Sequence, residues 1–156
     1  MAVVKNVQYG IMNSDFEKNI IKNMGVKEAD IFHFSQVMQV IQKAALGDSI
    51  RVATIKSFAV SAYDLVQKLQ YLSNRGINFA SNNEKYLNFS AIHALPDATV
   101  ELLKNIAQRE YEFVCWVQKC RFSREVKMQL ISRIQWESLT DICMIFRSNG
   151  IKKKGN

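Results

Sequence analysis

The sequence predicts an α/β domain: a three-layer sandwich around a four- to five-stranded, mostly parallel sheet, followed by a long C-terminal helix and a short helical extension. Three observations favour this fold. Short β-branched runs alternate with amphipathic helical stretches over residues 1–95. One proline and six glycines leave little room for a loop-rich all-β sandwich. The 156 residues, 48% of them hydrophobic and 22% charged, suit one domain with its own core.

Strands and helices alternate in the first half of the chain. Ser14 stands three residues before Glu17, which is capping-box spacing, and the helix that it would start ends near Gly25. A second helix begins at Val37 and ends before Gly47. Strands are predicted at residues 2–12, 29–34 and 49–55 and from residue 77 onward. This order predicts parallel strands that are joined by crossover helices.

The clearest helical pattern covers residues 61–75. Leu65, Leu69 and Leu72 recur at helical spacing and form one apolar stripe. Ser61 is placed to cap the first turn, and Gly76 follows the last turn, where glycine commonly ends a helix. We therefore expect a helix that packs its leucine face against the sheet.

A long helix is predicted after Pro96, at residues 98–122, with no glycine or proline inside it. Its apolar residues form two stripes, a wider arc than one small sheet would cover. Either a helix from a second subunit or the chain's own sheet would bury these two stripes, and both alternatives stay open. The residues expected at an oligomer interface are Leu102, Ile106, Phe113, Trp116 and Val117.

Positive charge is concentrated near the C-terminus. The net charge is +7, and residues 100–156 hold 11 Lys or Arg against 6 Asp or Glu. This excess of positive charge suits contacts with a phosphate backbone. A solvated helix face followed by a solubilising tail explains the same excess equally well. The candidate DNA-binding residues are Lys119, Arg121, Arg124, Lys127, Arg133, Lys152, Lys153 and Lys154.

The remaining composition argues against metal or cofactor chemistry. Cys115, Cys120 and Cys143 form no Cys-x-x-Cys pair and are odd in number, so we expect reduced, buried thiols and a cytoplasmic protein without a metal site. No glycine-rich phosphate loop or dinucleotide fingerprint occurs, so no cofactor is expected. No apolar run is long enough for a membrane span, so no membrane partner is expected.

Residues 5–122 resemble the serine recombinases, the resolvase/invertase family. The resemblance lies in the order and spacing of short motifs rather than in one intact signature. The N-terminal motif of the family, Tyr-x-Arg-Val-Ser-Thr-x-x-Gln, is similar to residues 9–17, YGIMNSDFE. The later matches are Gly47-Asp48, the strand 50–52, IKSFAVS at residues 55–61, Asp64-Leu65, the run GINF at residues 76–79 and IAQRE at residues 106–110. The resemblance implies a resolvase-like catalytic domain, residues 1–122, whose last helix is of the dimerisation type.

The resemblance also implies where the chemistry would lie. In this family a serine attacks a DNA phosphodiester and forms a phosphoserine link, while arginines neutralise the phosphate and an aspartate assists proton transfer. The serine position is Asn13 here, and the arginine two residues earlier is Ile11. The Asp-Arg pair is replaced by Lys56-Ser57, and a later arginine by Val60. An amide is not a phosphoryl-accepting nucleophile, so we expect no catalytic residues.

Three hypotheses follow. The first is a catalytically inactive recombinase-like protein, an accessory or regulatory factor in DNA recombination or mobile-element biology that self-associates and binds DNA or an active recombinase weakly. The second is an active recombinase with a rearranged site, in which Ser14 is the fallback nucleophile, although its capping role explains it without chemistry. The third is a protein-interaction scaffold with no nucleic-acid role. Residues 123–156 are expected to form a basic helical extension and tail, with no complete helix-turn-helix.

Overall fold

A four-stranded parallel sheet forms the centre of the fold. The computed structural model describes residues 6–90 and 92–147. The strands are β1 (Gln8–Met12), β2 (Ile31–His33), β3 (Ser49–Val52) and β4 (Asn78–Ser81). Their order is β2-β1-β3-β4, and all neighbouring pairs are parallel. The predicted α/β class is therefore confirmed; residues 2–5 of the first predicted strand lie outside the described part of the chain.

Within the described part of the chain, five α-helices surround and extend the sheet. They are α1 (Asp15–Asn23), α2 (Val37–Lys43), α3 (Ala62–Asn74), α4 (Asp97–Lys119) and α5 (Arg124–Ile145). Two of the predicted caps are confirmed: Ser14 Oγ accepts the N–H of Glu17 at 3.4 Å, and Ser61 Oγ accepts the N–H of Asp64 at 3.0 Å. These contacts are local in sequence, which is why the residue order alone identified them.

The two faces of the sheet are covered unequally. Tyr9, Ile50 and Phe79 stand side by side in register and belong to the main core, together with α2 and α3. Helix α1 covers part of the other face. It packs closely over Gly10, where an added Cβ would lie 2.4 Å from Ile21 Cγ2. This arrangement gives the predicted three layers, with α1 on the second face.

Helix α4 runs antiparallel to α3 and continues past the sheet. Leu103 packs near the C-terminal end of α3. At the N-terminal end of α3, the Glu110 carboxylate accepts the N–H of Ala62 at 2.9 Å and the N–H of Tyr63 at 3.3 Å. These two amides lie in the first turn of a helix, where N–H groups lack helical partners. The nine residues from Tyr111 to the end of α4 extend about 13 Å beyond this point.

The C-terminal extension is longer than expected. The sequence predicts only a short helical extension after residue 122, whereas α5 has 22 residues and begins after Ser123, whose hydroxyl caps it by accepting the N–H of Val126. Leu139, Ile142 and Phe146 then enter the same core as the sheet. Among the described residues, no helix has the length and apolar character to cross a membrane.

Candidate functional site

The carboxyl ends of β1 and β3 bring the two halves of the sequence motif together. Ser57 Oγ lies 2.6 and 2.8 Å from the two carboxylate oxygens of Glu17, and Glu17 Oε2 also accepts the N–H of Asn13 at 2.6 Å. Asn13 and Ser57 therefore meet at one carboxylate. The sequence identified Glu17 as a capping partner and as the last position of the motif at residues 9–17, but not as a partner of Ser57, because that contact spans 40 positions.

The two serines at this edge differ in exposure. Ser57 is 1% exposed, and its hydroxyl donates to Glu17. Ser14 is exposed, but its oxygen serves as the helix cap. Neither hydroxyl contacts a cationic side chain among the described residues. The arrangement therefore supplies a buried hydroxyl beside a negative charge, not a nucleophile surrounded by positive charge.

The other motif positions place no further charged group against Glu17 and Ser57. Ile11 is fully buried in the core, whereas Val60 is exposed and its N–H donates to Asp64. The ammonium of Lys56 lies 4.0 Å from the ring centroid of Trp136 on α5, a cation–π contact. Lys56 is thus engaged by the C-terminal helix.

All seven arginines fall within the described residues, and none bonds to Asn13, Ser14, Glu17 or Ser57. Arg51 donates to the carbonyl of Met24 just past the end of α1, at the opposite edge of the sheet. Arg75 follows the last turn of α3, also away from the carboxyl edge. The other five lie on or beside α4 and α5: Arg109, Arg121, Arg124, Arg133 and Arg147.

A buried carboxylate, that of Glu84, joins the ends of β3 and β4. It accepts the hydroxyl of Thr54 at 2.9 Å and the N–H of Ile55 at 3.1 Å, together with the hydroxyl of Ser81. Burial, followed by the charge and hydrogen bond of Glu84, raises the pKa of Cys143 to about 12. Because Cys143 belongs to α5, this helix packs over the edge where open parallel sheets commonly bind ligands.

The predicted DNA-binding residues are dispersed along the α4–α5 hairpin. Lys119, Arg121 and Arg124 are exposed around the turn that joins the two helices. Lys127 donates to the carbonyl of Gln118 at 2.9 Å, and Arg133 pairs with Glu137 at 3.1 Å. Lys152, Lys153 and Lys154 lie outside the described residues. The arrangement presents an exposed basic turn rather than a groove-reading helix.

The predicted oligomer interface is divided between the interior and the surface. Ile106 and Val117 are buried within the chain's own fold, which removes them from any surface in this conformation. Leu102 and Phe113 are half-buried, and Phe113 packs on Trp116 at 5.7 Å between ring centroids. Trp116 itself is 56% exposed. Large exposed side chains elsewhere on the hairpin were not predicted: Phe122, Val126, Met128 and Trp136.

Within residues 6–90 and 92–147, no group of three or more His, Cys, Asp or Glu side chains is arranged to hold a metal ion. The three cysteines are half-buried and unbridged. The polar chemistry of the carboxyl edge therefore consists of two carboxylates, Glu17 and Glu84, with the hydroxyls, amides and thiol that surround them.

No known family model matches the chain, and no curated protein matches it. Among solved structures, the chain is similar to a resolvase family site-specific recombinase from Streptococcus pneumoniae. The two are 12% identical, with a TM-score of 0.47. The match covers 70% of this chain and 91% of that chain.

Proposed function

We propose that the chain is a catalytically inactive, recombinase-like protein, an accessory or regulatory factor in DNA recombination or mobile-element biology that acts in the cytoplasm. It acts through self-association and through weak binding to DNA or to an active recombinase. The observation that carries this proposal is the contact between Ser57 and Glu17. Asn13, at the motif's serine position, and Ser57, at one of its arginine positions, both bond to a carboxylate rather than lying beside a cationic side chain.

Electrostatics argues against strand cleavage at this edge. Phosphoryl transfer depends on fixed positive charge around the equatorial oxygens, and each lost donor of this kind costs about 2.7–4 kcal/mol of transition-state stabilisation. Here Glu17 would repel a phosphate, and Lys56 is held against Trp136. Helix α5 packs over the neighbouring ends of β3 and β4 through Cys143. Three features of the edge thus oppose the reaction.

The exposed basic turn supports weak DNA binding. Lys119, Arg121 and Arg124 are accessible to a phosphate backbone, and no described helix follows α5 to read base edges. Binding through such contacts alone is non-specific, and its affinity falls as salt is added.

Incubation with duplex DNA should yield no covalent protein–DNA adduct for the wild type or for Ser14→Ala. Both proteins should shift duplex DNA equally at low salt, because Ser14 serves only as a helix cap. Denaturing gel electrophoresis after quenching measures the adduct, and a mobility-shift titration measures binding. Arg121→Gln combined with Arg124→Gln should weaken the shift, whereas Arg75→Gln, at the opposite edge, should not.

Each hypothesis has its own outcome in this experiment. An adduct that forms with the wild type and disappears in Ser14→Ala would establish an active enzyme and refute the proposal. No shift of any duplex at low salt would favour the interaction scaffold without a nucleic-acid role and would remove the DNA half of the proposal.

Self-association should depend on the exposed indole of Trp116. Tryptophans that become buried when two proteins associate often contribute most of the binding energy. Trp116→Glu should therefore weaken the dimerisation affinity by about tenfold or more. Met38→Glu is the matched control, because Met38 is exposed to a similar extent on α2. Sedimentation equilibrium over a range of concentrations measures the association. A wild-type protein that stays monomeric at high concentration would contradict this half of the proposal.

A further inference from the structure

A cavity of about 190 Å³ lies between α3 and α4. On α3 it extends from Val66 to Asn74, toward the end of the helix that leads into β4, so it is away from the carboxyl edge. On α4 its lining residues lie between Val100 and Lys104, about 22 Å along the helix from Lys119 in the basic turn. This space, which we call the α3–α4 cavity, therefore belongs to neither site described above.

The inner walls of the cavity are apolar. Leu69, Phe89 and Leu103 line it and are almost fully buried. Leu95 and Val100 also line it and are half-buried. An apolar cavity of about 150 Å³ is large enough to take up benzene. The α3–α4 cavity therefore has room for a six-membered ring with a short substituent.

Polar side chains form the rim of the cavity. Gln70, Ser73 and Asn74 are exposed on α3, and Lys104 is exposed on α4. Among the lining residues that the structure describes, Lys104 is the one charged side chain. It forms no ion pair or hydrogen bond with a described residue, although Glu101 stands one turn before it on α4. Its ammonium group is therefore free to bind an anion at the rim.

The walls and the rim together indicate the chemistry of a ligand. Polar atoms buried against the apolar walls would lack hydrogen-bond partners, which is unfavourable, so the buried part of the ligand must be a hydrocarbon. No carboxylate is among the described lining residues, so a cationic ligand would meet only the like charge of Lys104. A carboxylate would pair with that ammonium group, and the amides of Gln70 and Asn74 are donors for its remaining lone pairs.

We propose that the α3–α4 cavity binds a small aromatic monocarboxylate, with its ring between the two helices and its carboxylate bonded to Lys104. The site is independent of the function proposed above, because it shares no residue with the carboxyl edge or with the exposed basic turn. A ligand at this site contacts both helices and binds only the folded chain, so it should also raise the temperature of unfolding.

Calorimetric titration at low ionic strength tests this site with three probes: phenylacetate, phenethylamine and acetate. The wild type should bind phenylacetate saturably and the other two at least about fivefold more weakly, because phenethylamine has the wrong charge and acetate lacks the ring. Lys104→Gln should weaken phenylacetate binding by about fivefold, the effect of losing an ion pair that water partly screens. Lys27→Gln is the matched control, because Lys27 is also exposed but lies beyond α1, outside this cavity.

A second variant tests the cavity itself. Val100→Phe adds a ring at a half-buried position near the start of α4, where the ring would fill the cavity. Phenylacetate binding should be lost, while the thermal unfolding transition stays cooperative. Equal phenylacetate affinity in the wild type, Lys104→Gln and Val100→Phe would overturn the proposal, as would the absence of saturable binding to the wild type. Tighter binding of phenethylamine than of phenylacetate would also overturn it, because Lys104 would then not set the charge of the ligand.

Discussion

Replacing Ile142 with alanine is expected to lower the free energy of unfolding by about 3 kcal/mol, within the range for a buried isoleucine. Ile142 is completely buried on α5 and packs in the core that also contains the sheet. The truncation removes apolar contacts and leaves a cavity between α5 and the rest of the domain. Chemical denaturation, followed by the fluorescence of the two tryptophans, measures the change.

Met144 provides the matched control, because it lies two residues away on the same helix but is 67% exposed. Met144→Ala should change the free energy of unfolding by no more than about 0.5 kcal/mol. Equal, small effects of both substitutions would mean that α5 is not docked as the structure has it. A large effect of Ile142→Ala alone would make α5 an integral part of the domain, although the resemblance ends near residue 122.

The sequence predicted most of the sheet and helices because their signals are local. Serine caps, glycine stops and the leucine stripe of α3 all lie within one element, and the structure has them where they were expected. The position of α5 was left open for a physical reason. Its apolar residues do not form one face, since its outer half projects past the sheet and only its inner half packs into the core.

The candidate site was predictable only in part. The resemblance to the serine recombinases placed Asn13 and Ser57 at positions of one catalytic site, in two separate motifs, but it did not identify Glu17 as the side chain that bonds to both. The hydrogen bonds of Glu84 and Glu110 were missed, because the partners of Glu84 in the turn after β3 and those of Glu110 at the start of α3 are distant in sequence. An acidic residue soon after a predicted parallel strand, as Glu84 follows β4, is a signal that could have identified one of them.

Replacing Glu84 with alanine should lower the free energy of unfolding by about 4 kcal/mol. Glu84 is almost fully buried and is the acceptor for Thr54, Ile55 and Ser81, so its removal leaves several donors without partners. Glu84→Gln keeps the shape and one acceptor oxygen, and its cost should be about half as large. Glu101→Ala, at an exposed position on α4, should have little effect.

The alkylation rate of the Cys143 thiol tests the same carboxylate, Glu84, in the folded protein. Its pKa is raised to about 12, chiefly by burial and then by Glu84, so at pH 8 it is almost entirely protonated and should react slowly with iodoacetamide. In a background where Cys115 and Cys120 are serine, Glu84→Gln should speed alkylation, because losing the negative charge lowers the thiol pKa. Burial remains, so the rate should stay below that of an exposed thiol. An unchanged rate in a folded Glu84→Gln protein would mean that α5 does not place Cys143 against Glu84, and the carboxyl edge would then be open to ligands.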